Sequence, residues 1–137
     1  MKDQTLIIDA EGIVLGRLAS FVAKKALEGH TVIVVNADKV IITGNRADII
    51  SGYSQMRRKG RSHSMKGPRI ETSPFKIVKR CIRGMLPNHR WGIGKEALEK
   101  IKCYNGIPAE FKQKPLVKLL QQRKTKQLSM QELSKQF

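Results

Sequence analysis

Residues 5–35 read TLIIDAEGIVLGRLASFVAKKALEGHTVIVV, and the change of apolar period inside this stretch decides the fold. Thr5-Leu6-Ile7-Ile8-Asp9-Ala10 is a short, nearly all-apolar run closed by Gly12, the pattern of a strand covered on both faces. From Leu15 to Glu28 the apolar residues Leu15, Leu18, Ala19, Val22 and Ala26 recur at helical spacing. Arg17, Lys24 and Lys25 lie elsewhere on that helix, and Gly29 is placed to end it. His30 to Val35 is a second, β-branched run, stopped by Asn36 and Asp38. Strand, helix, strand predicts a crossover and a parallel sheet, hence the α/β class.

Downstream, Lys39-Val40-Ile41-Ile42 is a shorter apolar run before Thr43-Gly44-Asn45. Ala47, Ile49 and Ile50 open a second helix whose apolar period is lost beyond Tyr53. Met56 to Arg69 then reads MRRKGRSHSMKGPR, with six Lys or Arg, two Gly, one Pro and no acid. Such a composition builds no core of its own and predicts a basic extended loop, spanning 54–72, ordered only against a partner. Ser73-Pro74 signals a helix start, a capping hydroxyl followed by Pro at the first helical position, and Pro87 stops that helix after Met85. Lys95 to Lys102 suggests a short helix leading into Cys103-Tyr104. From Lys112 a Lys- and Gln-rich tail runs to Phe137, with Leu116, Leu119 and Leu120 as a docking face and Ser129 to Glu132 spaced as a capping box. It predicts one or two helices wrapping the surface. The expected organisation is a single domain over 1–137, with a core over about 5–110 and a C-terminal helical tail over 111–137.

Twenty-seven Lys and Arg against eleven Asp and Glu give a net charge of +16, which a folded chain tolerates best when a polyanion neutralises it. The charge is concentrated: residues 49–95 hold twelve Lys or Arg and a single acid, Glu71. No apolar run approaches the roughly 18 residues of a spanning helix, and no signal-peptide pattern opens the chain, so a cytoplasmic protein without a membrane partner is expected. Cys81 and Cys103 stand 22 positions apart with no second pair, which fits neither a disulfide framework nor a zinc site. Both read as buried thiols.

On the helix beginning at Pro74, Val78, Cys81, Ile82 and Met85 fall on one side, while Lys76, Lys79, Arg80 and Arg83 share about a third of the circumference opposite. Like charges at three- and four-residue spacing repel by a few tenths of a kcal/mol per pair, on the order of other helix surface terms, and phosphates would relieve that strain. A solvated charged face normally mixes signs, and one acid in this region does not. Nucleic acid is therefore the expected partner. RNA is favoured over DNA, because no helix-turn-helix or zinc finger is present and a basic loop suits irregular folded RNA. The candidate contacts are Arg57, Arg58, Lys59, Arg61, His63, Lys66 and Arg69 in the loop, Lys76, Lys79, Arg80 and Arg83 on the helix, and Arg90 just beyond it.

The competing readings are weaker. Trp91 and Tyr53 can stack on bases, although single aromatics beside apolar neighbours more often belong to core or rim. The Gly12-to-Gly16 turn matches neither GxGxxG nor a phosphate loop, so no nucleotide cofactor is expected and a nucleotide-dependent enzyme ranks low. Gly44 reads as a tight turn or a helix entry able to hold a phosphate. His30, His63 and His89 lack metal-ligand spacing and read as solvated or phosphate-contacting. Asp9 and Asp38 neighbour strand ends but form no evident metal site, leaving catalysis without a constellation. A stand-alone nucleic-acid-binding regulator shares the basic surface and remains the main alternative.

A family resemblance now enters on particular residues. Ile8-Asp9-Ala10, Gly12, Leu15-Gly16-Arg17-Leu18-Ala19, Val34-Val35-Asn36-Ala37-Asp38 and Thr43-Gly44-Asn45 resemble the N-terminal half of the universal large-subunit ribosomal protein L-thirteen family. Val78-Lys79-Arg80-Cys81-Ile82-Arg83-Gly84-Met85-Leu86-Pro87 resembles its RGMLP signature, followed at the expected distance by Ile101-Lys102-Cys103-Tyr104-Asn105-Gly106. The resemblance covers roughly residues 5–110, and Gly67-Pro68-Arg69 with Ser73-Pro74 look like the archaeal and eukaryotic branch. It implies a three-layer α/β/α domain with a mostly parallel four-stranded sheet. The function it implies is a structural one: a non-enzymatic constituent of the large ribosomal subunit that binds its rRNA and supports assembly and translation. It further implies neighbouring large-subunit proteins as partners, a monomer within the ribosome, and no small-molecule substrate. By that resemblance Arg83, Gly84 and Arg17 contact RNA, with the basic loop added by position.

Overall fold

The computed structural model describes residues 4–59, 67–119 and 125–137. Strand β1 (Thr5–Asp9) leads into helix α1 (Leu15–Leu27), which returns to β2 (Thr31–Val35), and β1 and β2 pair in parallel with Thr5 opposite Thr31 and Asp9 opposite Val35. The crossover thus runs as the sequence predicts. The stripe Leu15, Leu18, Ala19, Val22 and Ala26 is buried, joined by Ala23. The helix ends in a paired cap: the Gly29 N–H donates to the Ala26 carbonyl and the His30 N–H to the Lys25 carbonyl, with Gly29 at φ +98°. A side chain at Gly29 would be strained by that backbone, which is why glycine sits there.

Beyond a 3-10 turn (Ala37–Lys39) come β3 (Ile41–Thr43), α2 (Arg46–Arg58), α3 (Pro74–Met85), α4 (Gly92–Glu99) and β4 (Ile101–Cys103). After a second 3-10 turn (Ala109–Phe111), the tail supplies β5 (Val117–Lys118), β6 (Gln127–Ser129) and α5 (Met130–Lys135). The main sheet has the order β4-β2-β1-β5, with every pairing parallel, and β3 pairs antiparallel with β6 in a separate two-stranded ribbon.

Strand alternation divides the core in two. Ile8, Val32 and Val34 face a large cluster with Leu18 and Val22 of α1, Ile77, Val78 and Ile82 of α3, and Met130 and Leu133 of α5. Ile7, Ile33 and Val35 face the opposite way, where Phe111, Tyr104, Ile107 and Leu116 cover them. The second covering layer is therefore thin, a 3-10 turn with adjoining loops. Each fully buried aliphatic side chain contributes roughly 1.5–3 kcal/mol, so the broad helical face dominates stability.

Three segments differ from the sequence expectation. Residues 54–58, expected at the start of the loop, continue α2. Gln, Met and Arg are good helix formers, and Arg57 and Arg58 in the last turn complement the helix dipole, so loss of the apolar period does not end the helix. The fourth helix begins at Gly92 rather than Lys95. The described residues of the tail form one helix, as expected, together with two short strands that the sequence does not announce. Within it, Leu116 packs on the thin side of the sheet and Leu119 on the other, as a strand requires of positions three apart, whereas one helix face would have united them. Leu120 lies outside the described residues. Ser129 does cap α5 as its spacing predicts, its hydroxyl accepting from the Glu132 N–H at 3.3 Å.

Candidate nucleic-acid interface

Helix α3 organises the basic surface. Pro74 stands at its first position, and Lys76 and Ile77 donate their N–H groups to the Ser73 carbonyl, although the Ser73 hydroxyl makes no capping bond. The buried side is Pro74, Ile77, Val78 and Ile82. Ile77 was not among the residues expected there, and Met85, which was, is 43% exposed. Opposite that side, Lys76 and Arg80 are exposed and Lys79 and Arg83 half-buried.

All four cations border one groove of about 600 Å³ between α2 and α3. Arg69 and Gly84 line it as well. The apolar part of its lining is Tyr53 and Met56 of α2, Ile70 ahead of α3, Ile77 and Cys81 of α3, and Leu98 of α4. Two of the cations are held from within the chain. The Lys76 ammonium lies 3.3 Å from the Glu71 carboxylate, an exposed pair worth about 0–1 kcal/mol, and Arg80 donates to the Arg69 carbonyl at 2.7 Å. Lys79 and Arg83 have no side-chain hydrogen bond or ion pair among the described residues.

The remaining predicted contacts are distributed around this groove. Arg57, Arg58 and Lys59 are exposed at the end of α2, with the Arg57 guanidinium 4.8 Å above the Phe137 ring. Arg57 and Arg58 thus sit on a helix, not in an extended loop. Arg17 on α1 and Arg90 before α4 are exposed but do not line the groove. Arg61, His63 and Lys66 lie outside the described residues. Met56 and Leu98 were missed as groove residues, since neither carries a local signal and only the α2–α3–α4 arrangement joins them.

Gly84 carries a separate message. It is exposed on a helix, and a Cβ built there would meet nothing within 4 Å. Glycine is a poor helix former, costing up to about 1 kcal/mol relative to alanine, and in the last turn of α3 no close neighbour among the described residues calls for it.

Other sequence candidates resolve as framework. The Asp9 carboxylate is 5% exposed and accepts from the Asn36 amide at 2.8 Å and the Glu11 N–H at 3.1 Å, with the Lys118 ammonium 3.8 Å away. Asn36 itself holds a left-handed backbone at φ +57°, and Asp38 accepts from the Gly106 N–H at 3.1 Å. Both acids therefore fasten the ends of β1 and β2 to neighbouring loops. Among the described residues no group of His, Cys, Asp and Glu is placed to hold a metal ion. His30, read from the sequence as solvated or phosphate-contacting, has its Nδ1 enclosed, with no hydrogen-bond partner among the described residues. Gly44 at φ +135° turns the chain into α2, its N–H donating to the Lys126 carbonyl at 2.9 Å. Trp91 is 70% exposed, so it belongs to the surface and not the core. Cys103 is buried, which pushes its thiol up to about 12, whereas Cys81 is only half-buried and its thiol is raised by the same cause. No described helix is long and apolar enough to cross a membrane.

Comparison with known proteins agrees with these features. A family model described as ribosomal protein L13 matches residues 3–110. The chain is 37% identical over 144 aligned positions to the large ribosomal subunit protein uL13 of Sulfurisphaera tokodaii, covering 98% of this chain and 95% of that protein. It is 49% identical over 105 positions to the uL13 of Methanococcus maripaludis, covering 75% and 76%, and 44% identical over 107 positions to that of Methanosarcina barkeri, covering 77% and 74%.

Proposed function

The chain belongs to the ribosomal protein L13 family, one of structural ribosomal proteins rather than enzymes, and on that premise we propose that it binds large-subunit rRNA through the cationic side of α3. The relatives' designation as large-subunit proteins supports a place in that particle, and with it cytoplasmic residence, support of subunit assembly and neighbouring ribosomal proteins as further partners.

The observation that carries the RNA reading is the stripe from Lys76 to Arg83, which among the described residues meets a single acid, Glu71, and ends beside an exposed glycine with open space above it. The seven residue steps from Lys76 to Arg83 rise about 10 Å, close to three phosphate-to-phosphate steps along one nucleic-acid strand. Arg83, with five donors in a planar fork, suits bidentate capture of a phosphate, and a glycine next to it lets a backbone approach closely. The α/β core then acts as a rigid platform, and Arg57, Arg58, Lys59 and Arg69 extend the charged surface on either side of the groove. Arg17 and Arg90, exposed beyond the groove, are proposed as further contacts, and Arg61, His63 and Lys66 are proposed from the sequence alone.

If six to eight cations meet phosphates, affinity falls with salt at a log-log slope of about −4 to −7, at roughly −0.7 to −0.9 per contact. A slope shallower than about −2 with large-subunit rRNA fragments would overturn this clamp. Recovery of the tagged chain from lysate after a high-salt wash should bring down intact large-subunit rRNA and its proteins. A discrete mRNA or DNA set without them would instead mark a stand-alone regulator.

A further inference from the structure

We propose that the groove between α2 and α3 seats one unpaired RNA nucleotide, its base on the apolar lining and its phosphates on the cations, an inference that rests on the rRNA-binding reading above. Phosphate neutralisation alone calls for a charged surface and leaves the apolar lining unexplained. Tyr53, Met56, Cys81 and Leu98 give this solvent-open groove an apolar lining, and Arg69, Lys79, Arg80 and Arg83 line it with cations. At about 600 Å³ the groove has the size of a small-molecule site, far more than a phosphate fills.

RNA-binding proteins capture unstacked bases on aromatic rings or guanidinium planes, with the backbone held by cations beside them. Tyr53 is prepared for that task. Its ring is half-buried and braced by Phe137, ring centroids 6.3 Å apart and tilted by 44°. Burial, and to a lesser extent Cys81, raise its hydroxyl above the usual tyrosine value, with Arg80 opposing. The charge of the lining selects the occupant. Among the described residues Glu71 is the one acid lining the groove, and Lys76 pairs with it, leaving a site that favours an anionic ligand with a flat apolar body. A nucleotide has that chemistry.

The test uses the full chain with short RNA hairpins, each carrying one bulged A, C, G or U, beside a fully paired hairpin of equal length. Cys81 in the lining reports occupancy through its rate of alkylation at mildly alkaline pH, and buried Cys103 stays silent. The expected result is that at least one bulged hairpin binds about tenfold more tightly than the paired one, within the 1–3 kcal/mol typical of base stacking, and slows Cys81 alkylation severalfold. Tyr53→Ala should abolish that preference. Where this variant fails to unfold cooperatively, the Cys81 footprint on the unaltered chain decides. Equal affinity for bulged and paired RNA with equal Cys81 reactivity overturns the nucleotide site while leaving the clamp standing. Failure to bind any hairpin or rRNA fragment overturns the clamp itself, and the nucleotide site with it. Protection of Cys81 in assembled large subunits but by no bulged RNA assigns the groove to a protein segment and overturns the proposal.

Discussion

The Arg80 guanidinium donates through Nη1 to the main-chain carbonyl oxygen of Arg69 over 2.7 Å, tying the end of the basic segment to the middle of the basic helix. Arginine carries five donors, so this bond leaves others for a phosphate. One side chain can then both shape the groove and serve the partner. Lys76 is engaged in a similar way by Glu71, which leaves Lys79 and Arg83 as the two α3 cations at the groove whose side chains have no such tie among the described residues.

Replacing Arg80 separates charge from geometry. Arg80→Lys keeps the charge and loses the planar fork, so RNA affinity should fall by about three- to tenfold, the equivalent of a hydrogen bond of roughly 0.5–1.5 kcal/mol, at nearly constant salt slope. Arg80→Ala should also lower the slope's magnitude by about 0.7–0.9. Affinity titrations at four or five salt concentrations distinguish the two. An Arg80→Lys variant that binds like the original would reduce this residue to a point charge.

Arg83 and Gly84 test the neighbouring turn with opposite signs for folding and binding. Gly84→Ala fills open space on an exposed helix, so the free chain should gain up to about 1 kcal/mol in a urea melt. On the proposed interface, where a nucleic-acid backbone passes over Gly84, the same methyl group should weaken RNA binding. Arg83→Lys should weaken binding with charge preserved. A Gly84→Ala variant that is both more stable and equally tight would remove Gly84 from the interface.

The elements readable from sequence are those whose signals are local. The β1–α1–β2 crossover follows from its change of apolar period, and the end of α1 from Gly29, whose left-handed backbone closes the cap with Ala26 and Lys25. The cationic side of α3 follows from spacing alone, as does the Ser129 cap of α5. What could not be read depends on remote partners. Val117 and Lys118 are a strand because Ile8 and Asp9 offer an open sheet edge, and Gln127 to Ser129 because β3 does. The apolar lining of the groove joins residues 53, 56, 81 and 98, which no period relates.

Gly94 shows such a remote constraint at one atom. A Cβ there would stand 2.2 Å from the Pro87 carbonyl oxygen and 2.5 Å from that of Asn88, both rigid backbone. This contact fixes where α4 starts, three residues earlier than its sequence suggests. Gly94→Ala should therefore destabilise the chain by roughly 1–3 kcal/mol despite alanine's better helix propensity. Urea unfolding measures it, and an unchanged midpoint would show that α4 shifts freely.

Alkaline pH offers a last, mutation-controlled test of how the core is sealed beneath this helix. Cys103 ionises at about 12 when folded, against an ordinary value of 9.0, because burial disfavours its thiolate. The folded chain then binds more protons than the unfolded one above pH 9, so stability falls as pH rises through the window from 9 to 12. Cys81 and Tyr53, raised by the same cause, add in the same direction. Below pH 9 the stabilisation is fully present. The loss from Cys103 should approach 1.4 kcal/mol per pH unit near the middle of the window. Cys103→Val, which keeps the site apolar at similar volume, should flatten the slope of unfolding free energy between pH 9.5 and 11 by about that amount. An equally steep decline in the variant would mean that Cys103 is reached by solvent, and that the α3–β4 contact opens in the native state.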